Sequence, residues 1–269
     1  MPRRPIWQWL VLGSWLAALV AITIWLIFRS DPGGDIVGNG QMTSNQVAQE
    51  PIPPAKALPA AEQLALAFRT AFGANGEVRR AVGEQTYVYR PERLEWLGNR
   101  AMLISLGRNV EDCHACGGTM AIHYLSPEGD GLSVAGAWLE NPPSGSFGAP
   151  PGEVAINREL TDNPIVYATG GSTNQGYTCS VAWLVELRRD GPVTSGPIPI
   201  SYSNAGAVMD DTGRTMGGDP LRELQGRIAN IRRGQSFDIA FTGAEQFTET
   251  YSYRGGRFVG PELESRAAC

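Results

Sequence analysis

The chain has 269 residues, 42% of them hydrophobic, and a formal charge of −5 from 22 basic and 27 acidic residues. This length allows one soluble domain plus appendages, and the apolar and aromatic content excludes a disordered chain. Four cysteines are too few for a disulfide-dense scaffold, and the acidic balance argues against a nucleic-acid partner.

In chain order, residues 1–5 form a short basic N-terminus, and 6–28 an apolar run in which Gln8 is the only strongly polar residue. At 1.5 Å per residue the run gives about 35 Å of helix, enough to cross a hydrocarbon core of about 30 Å. Trp7 and Trp9 stand near one end and Trp25 near the other, as in interfacial aromatic belts. No small-x-small cleavage site follows, so the run reads as an uncleaved single-pass anchor and not a signal peptide. Arg3 and Arg4 precede it and Arg29 follows it, which puts the N-terminus in the cytoplasm and the rest outside. Arginine far outnumbers the single lysine, Lys56, and there is no Asn-x-Ser/Thr sequon. Both are compositional hints of a bacterial inner-membrane protein with a periplasmic domain.

Residues 29–58 are Gly-, Ser- and Pro-rich, without apolar periodicity, and read as a flexible linker spanning roughly 30 Å. Residues 59–269 read as the extracytoplasmic domain. It opens with a helix over 59–73: Pro59 suits a helix start, Leu64, Phe68 and Phe72 share a face, and Gly73 ends it.

Beyond residue 84 the pattern becomes short apolar or alternating runs between turns. Expected strands are Thr86–Tyr89, Met102–Leu106, Met120–Tyr124, Leu132–Trp138, Ile165–Ala168, Ala182–Leu187, Ile198–Tyr202, Phe237–Thr242, Thr250–Tyr253 and Arg257–Val259. A second helix is expected near 220–231, with Asp219 as N-cap, Pro220 at the first helical position, and Leu221, Leu224 and Ile228 on one face. The fold class is therefore mainly β, in antiparallel hairpins or a meander, with one or two short helices on a single N-terminal transmembrane helix. Closure as a barrel or a partial propeller is left open. A weak repeat at an offset of 63 residues lays Ala101–Gly107 on Pro164–Gly170 and Cys116 on Cys179.

Chemistry is sparsely signalled. The segment Cys113-His114-Ala115-Cys116 has the Cys-x-x-Cys spacing of a thiol-redox or zinc motif. A metal site would draw on Cys113, His114, Cys116 and Cys179, but no second ligand pair with zinc spacing exists, and no strand–helix context supports redox work. Structural disulfides among Cys113, Cys116, Cys179 and Cys269 are preferred, as Cys113–Cys116 with Cys179–Cys269. A Cys116–Cys179 bond, suggested by the repeat, is the rival.

The only histidines are His114 and His123, which restricts histidine-based catalysis. No nucleophile elbow, zinc-protease helix, phosphate loop or dinucleotide fingerprint occurs. Glu245, Glu249, Glu262 and Glu264 leave a carboxylate-based envelope hydrolase as a remote alternative. Asp210–Asp219 has calcium-loop composition without the ligand alternation, and reads as a turn.

The long, nearly uncharged loop from Glu140 to Gly152 carries Phe147, and the polar loop Ser172–Tyr177 carries Tyr177. These two aromatics are the candidate binding residues. The sequence thus leans away from an enzyme. It points to a membrane-tethered periplasmic binding or interaction module, without cofactor, whose partner is an envelope protein or polymer, with the thiol or zinc module as the main alternative.

Overall fold

The computed structural model describes residues 51–111, 116–142, 147–216, 218–261 and 265–267. The expected anchor at 6–28 and most of the linker lie outside these residues. Among the described residues no helix is long and apolar enough to cross a membrane.

The chain from Pro51 onward forms one compact unit. A short helix α1 (Pro54–Ala57) leads into α2 (Ala60–Phe72). Pro59 precedes α2, and Gly73 closes it at φ 69°, donating its N–H to Arg69 O at 2.8 Å. Only glycine adopts that left-handed conformation without strain, so the stop is written in one residue.

Two antiparallel sheets follow, each a meander in which every strand pairs with its neighbour in sequence. The first holds β1 (Val78–Val82), β2 (Gln85–Leu97), β3 (Arg100–Asn109), β4 (Thr119–Glu128) and β5 (Gly131–Trp138). The second holds β6 (Val154–Asn157), β7 (Ile165–Asn174), β8 (Tyr177–Arg188), β9 (Gly191–Ser203), β10 (Glu223–Arg232), β11 (Ser236–Gly243), β12 (Phe247–Arg254) and β13 (Arg257–Val259). A third helical turn, α3 (Ala205–Val208), sits between β9 and β10.

Alternation along the strands builds three apolar layers. Phe68 and Phe72 of α2 pack on Tyr89, Leu103 and Leu125. The other face of the first sheet, with Met102, Ile104, Ile122 and Tyr124, meets Val166, Val185 and Leu187 of the second. The far face of the second sheet closes on itself through Leu184, Ile200, Leu224, Phe237, Ile239 and Phe241. This curl makes the second sheet a half-barrel. Its last strand turns back toward β9, where Phe258 N–H donates to Ser195 Oγ at 2.9 Å.

Every expected strand falls inside an observed one, most of which are longer. The expected helix near 220–231 is instead strand β10. Leu224, Gly226 and Ile228 alternate as well as they fit a helical face, and the period of two wins. Leu224 goes into the half-barrel core, while Leu221, which a helix would have buried, is 41% exposed. A Cβ on Gly226 would stand 2.7 Å from Ile239 and 2.8 Å from Phe241, so the glycine marks close packing across strands. β1 and β6 were not anticipated; both are short edge strands.

The 63-residue offset does not survive as a repeat of pairing. Met102 pairs with Tyr124, but Ile165, its counterpart, pairs with Glu186 and not with Leu187. One residue of slip reverses the face a side chain takes. Met102 accordingly lies between the sheets, and Ile165 inside the half-barrel. Cys179 lies within β8, paired with Ser172 and Tyr202, whereas Cys116 lies in the connection before β4.

Candidate functional site at the loop end

Because both sheets are meanders, their connections alternate between two ends. The β2–β3 and β8–β9 turns meet at one: Arg100 Nη1, just past the first, donates to Arg189 O beside the second at 2.5 Å. The chain also enters there, since Lys56 Nζ donates to Gly98 O at 2.8 Å and Asn99 Nδ2 to Pro51 O at 3.4 Å. The long connections gather at the opposite end.

Each long connection starts from a buried asparagine. Asn109 donates its Nδ2 to Gln85 Oε1 at 2.7 Å and accepts Glu111 N–H at 2.9 Å. Asn141 Oδ1 accepts the Thr194 hydroxyl at 2.6 Å. Asn204 bridges its connection by donating to Pro220 O at 2.9 Å and accepting Arg222 N–H at 2.7 Å. An amide carries both donor and acceptor, so one side chain satisfies both polarities of turning backbone.

These anchors bring the β3–β4 and β5–β6 connections together. Gly148 N–H donates to Cys116 O at 2.7 Å, and Gly118 N–H to Ala149 O at 2.9 Å. The second connection then runs along β7: Gly152 N–H donates to Thr169 O at 2.8 Å, and Thr169 N–H to Glu153 O at 3.0 Å. Phe147 stands at the head of this segment, 51% exposed.

Beside it lies a cleft of about 450 Å³ lined by Ala149, Pro150, Thr169, Ser180, Ser201 and Gln225, among others. A second, of about 350 Å³, shares Ser201 and Gln225 and extends past Tyr202 to Thr242. The two adjoin at Ser201 and Gln225, and together they are called the groove. Arg222 lies over the Tyr202 ring, 5.0 Å from its centroid, and the Tyr177 ring lies 6.5 Å from it, tilted by 49°. Hydroxyls, one amide, the Tyr202 ring and the carboxylates Glu153 and Glu223 line the two clefts, a surface suited to hydrogen-bonding and stacking ligands.

The other sequence candidates are spent elsewhere. His123 is buried under α2, with its ring 4.6 Å from that of Phe72. Burial pushes its pKa down to about 4, and Nδ1 has no hydrogen-bond partner. It is a core residue. Glu245 pairs with both Arg222 and Arg266, and Glu249 accepts bonds from Ser265 Oγ and Arg266 N. Asp210 Oδ1 accepts from Thr212 N–H, Thr212 Oγ1 and Arg214 N–H, the turn expected there. The backbone N–H of Arg214 leads the bonds that hold this exposed carboxyl below its ordinary value.

Glu186 is buried at the turn end. Burial raises its pKa, but bonds from Arg188, Asn163 and Tyr253 outweigh that and hold it below the usual range. The group ties β8 to β12 and stands away from the groove.

Cys113, His114, Cys269, Glu262 and Glu264 lie outside the described residues. Among the described residues there is no free cysteine, and no cluster of His, Cys, Asp and Glu arranged to hold a metal ion. Of the candidate binding residues, the structure places Phe147 and Tyr177 both at the loop end. The sequence reading missed Tyr202, Arg222, Ser201 and Gln225. Their signal was the polar alternation Ser201-Tyr202-Ser203, which resembles any exposed strand face.

No family model, curated protein or solved structure matches the chain, and its chemistry is read from its own geometry.

Proposed function

We propose that the protein is a non-enzymatic binding module of the bacterial envelope. Residues 6–28 anchor it in the inner membrane with the N-terminus in the cytoplasm, and the expected 29–58 linker tethers the β-rich domain in the periplasm through 29–50, since Pro54–Ala57 is helix α1 with Ala55 buried in the compact unit. The loop-end groove takes an envelope protein or polymer. The observation that carries this reading is a pair of adjoining clefts with Ser201 and Gln225 common to both, the second bordered by Tyr202, whose ring meets Tyr177 and Arg222. The chain enters at the opposite end, beside Gly98 and Asn99, so the groove is not obstructed by that approach. Cys113–Cys116 and Cys179–Cys269 are proposed as structural bonds; intact mass and thiol counting would check their number, and peptide mapping without reduction their pairing.

The test uses the full chain in mild detergent, with isolated cell-wall sacculi and solubilised envelope proteins as probes. Tyr177→Ala and Gln225→Ala, both at exposed positions, are expected to weaken capture about tenfold with an unchanged melting temperature. Equal capture by wild type and both variants would refute the groove.

A further inference from the structure

We infer that the open edge of β7 is a strand-addition site, and that its occupant is an extended, basic polypeptide segment of another envelope protein. The inference rests on the binding reading above and names its partner class.

β7 has ten residues, but β6 covers only Ile165–Ala168. Thr169 is met by Gly152 and Glu153. Beyond it the neighbouring chain is Pro150-Pro151, which has no N–H to donate, and the cleft opens between Ala149 and Pro150 on one side and Gly170 and Gly171 on the other. Gly171, Ser172, Thr173 and Asn174 are exposed. Direction follows from alternation: Thr169 bonds outward and Pro164 O bonds inward to Leu187 N–H. Gly171 and Thr173 therefore also point their N–H and C=O outward. Among the described residues nothing bonds those four groups.

Native edges are normally blunted by lysine, proline or a bulge. Gly170–Asn174 contains none of these, and its pairing with β8 runs without a register shift to the Asn174–Tyr177 turn. About 17 Å of uncharged strand is thus left open at the usual strand rise. The larger cleft borders it at Thr169, Gly170 and Gly171, where a pocket beside an added strand would take alternate side chains.

Charge selects the occupant. Glu111, Glu153, Asp211, Asp219 and Glu223 are exposed at this end and outnumber the exposed Arg108 and Arg214, while Arg222 is committed to Glu245. A second copy of this acidic chain would bring like charge to the edge, whereas a segment bearing Arg or Lys finds complementary charge.

The probe is a displayed library of random twelve-residue peptides, selected on the full chain in mild detergent. Selected peptides are expected to be basic. Methylating their backbone nitrogens at every second position should weaken binding more than tenfold, with the intervening positions tolerated. Thr173→Pro, which removes an outward N–H, should weaken binding equally, and Thr173→Val, which keeps it, by less than twofold. The methylation series stands even if Thr173→Pro folds poorly. Recovery of no peptide, or of peptides indifferent to methylation and to Thr173→Pro, overturns the inference. Self-association lost in Thr173→Pro overturns it in favour of pairing between copies. If sacculus or envelope-protein capture still depends on Tyr177 and Gln225, the groove stands and only the edge fails; if neither probe binds, both readings fall.

Discussion

The ring of His123 meets that of Phe72 edge-on, with centroids 4.6 Å apart, beneath the helix that opens the domain. Burial lowers its pKa from 6.5 to about 4. The unfolded chain takes up this proton below about pH 6.5, while the folded chain resists until about pH 4. Stability is therefore full above pH 6.5 and falls through the window from 6.5 to 4, by roughly 3 kcal/mol at most. Urea midpoints at pH 7 and 4.5 should differ for wild type and converge for His123→Leu. An equal pH response in the variant would assign the loss to other groups.

Arg188 Nε and Nη2 both donate to Glu186 Oε2, at 3.0 and 2.6 Å, and Tyr253 hydroxyl donates to the same oxygen at 2.7 Å. Removing one partner strands a buried charge. Arg188→Ala is expected to cost about 2–3 kcal/mol, discounted because the arginine side chain is 24% exposed. Tyr253→Phe should cost about 1 kcal/mol. The carboxyl is held below its ordinary value of 4.5, so its contribution is present above that pH and declines as pH falls below it. Thermal melts of the two variants at pH 7 check the order of effects.

Gly226→Ala distinguishes strand from helix by sign. In an exposed helix the change would stabilise by about 1 kcal/mol. In β10 the new methyl meets Ile239, Phe241 and Ile200 O within 3.1 Å, and the variant should instead lose about 1–3 kcal/mol. A raised melting temperature would contradict the strand.

Asn204 is 4% exposed and closes its connection with two hydrogen bonds to backbone. Asn204→Ala leaves Pro220 O and Arg222 N–H without that partner and should cost about 2 kcal/mol. Because Arg222 lies over the Tyr202 ring, the same change is expected to weaken sacculus capture. Hydrogen exchange should rise across 204–222 and stay unchanged in β3 and β4. Uniform exchange would mean that the asparagine does not organise this connection.

Much of the secondary structure was legible. Helix α2 was marked at both ends by Pro59 and Gly73, and its buried stripe by Phe68 and Phe72. Ten strands were anticipated because alternation is a property of neighbouring residues. β10 was misread because Leu224 and Ile228 fit a helix and a strand equally, and only the neighbours of Gly226 decide between them. Of the candidate site, Phe147 and Tyr177 were picked out as loop aromatics, but the groove floor was not, since serines and glutamine on a strand carry no mark of what faces them.

By itself the sequence determined where ten of the thirteen described strands fall, that histidine chemistry is scarce, and that an apolar 23-residue run precedes the domain. Local periodicity and backbone preference encode such features within a few residues. Tertiary structure alone decided the one-residue difference in register between the β3–β4 and β7–β8 hairpins, which sends Met102 between the sheets and Ile165 into the half-barrel. It also decided that Ala149, Thr169, Ser201 and Gln225 line one cleft. Register and convergence depend on which faces find apolar partners far along the chain, and no local pattern carries that information.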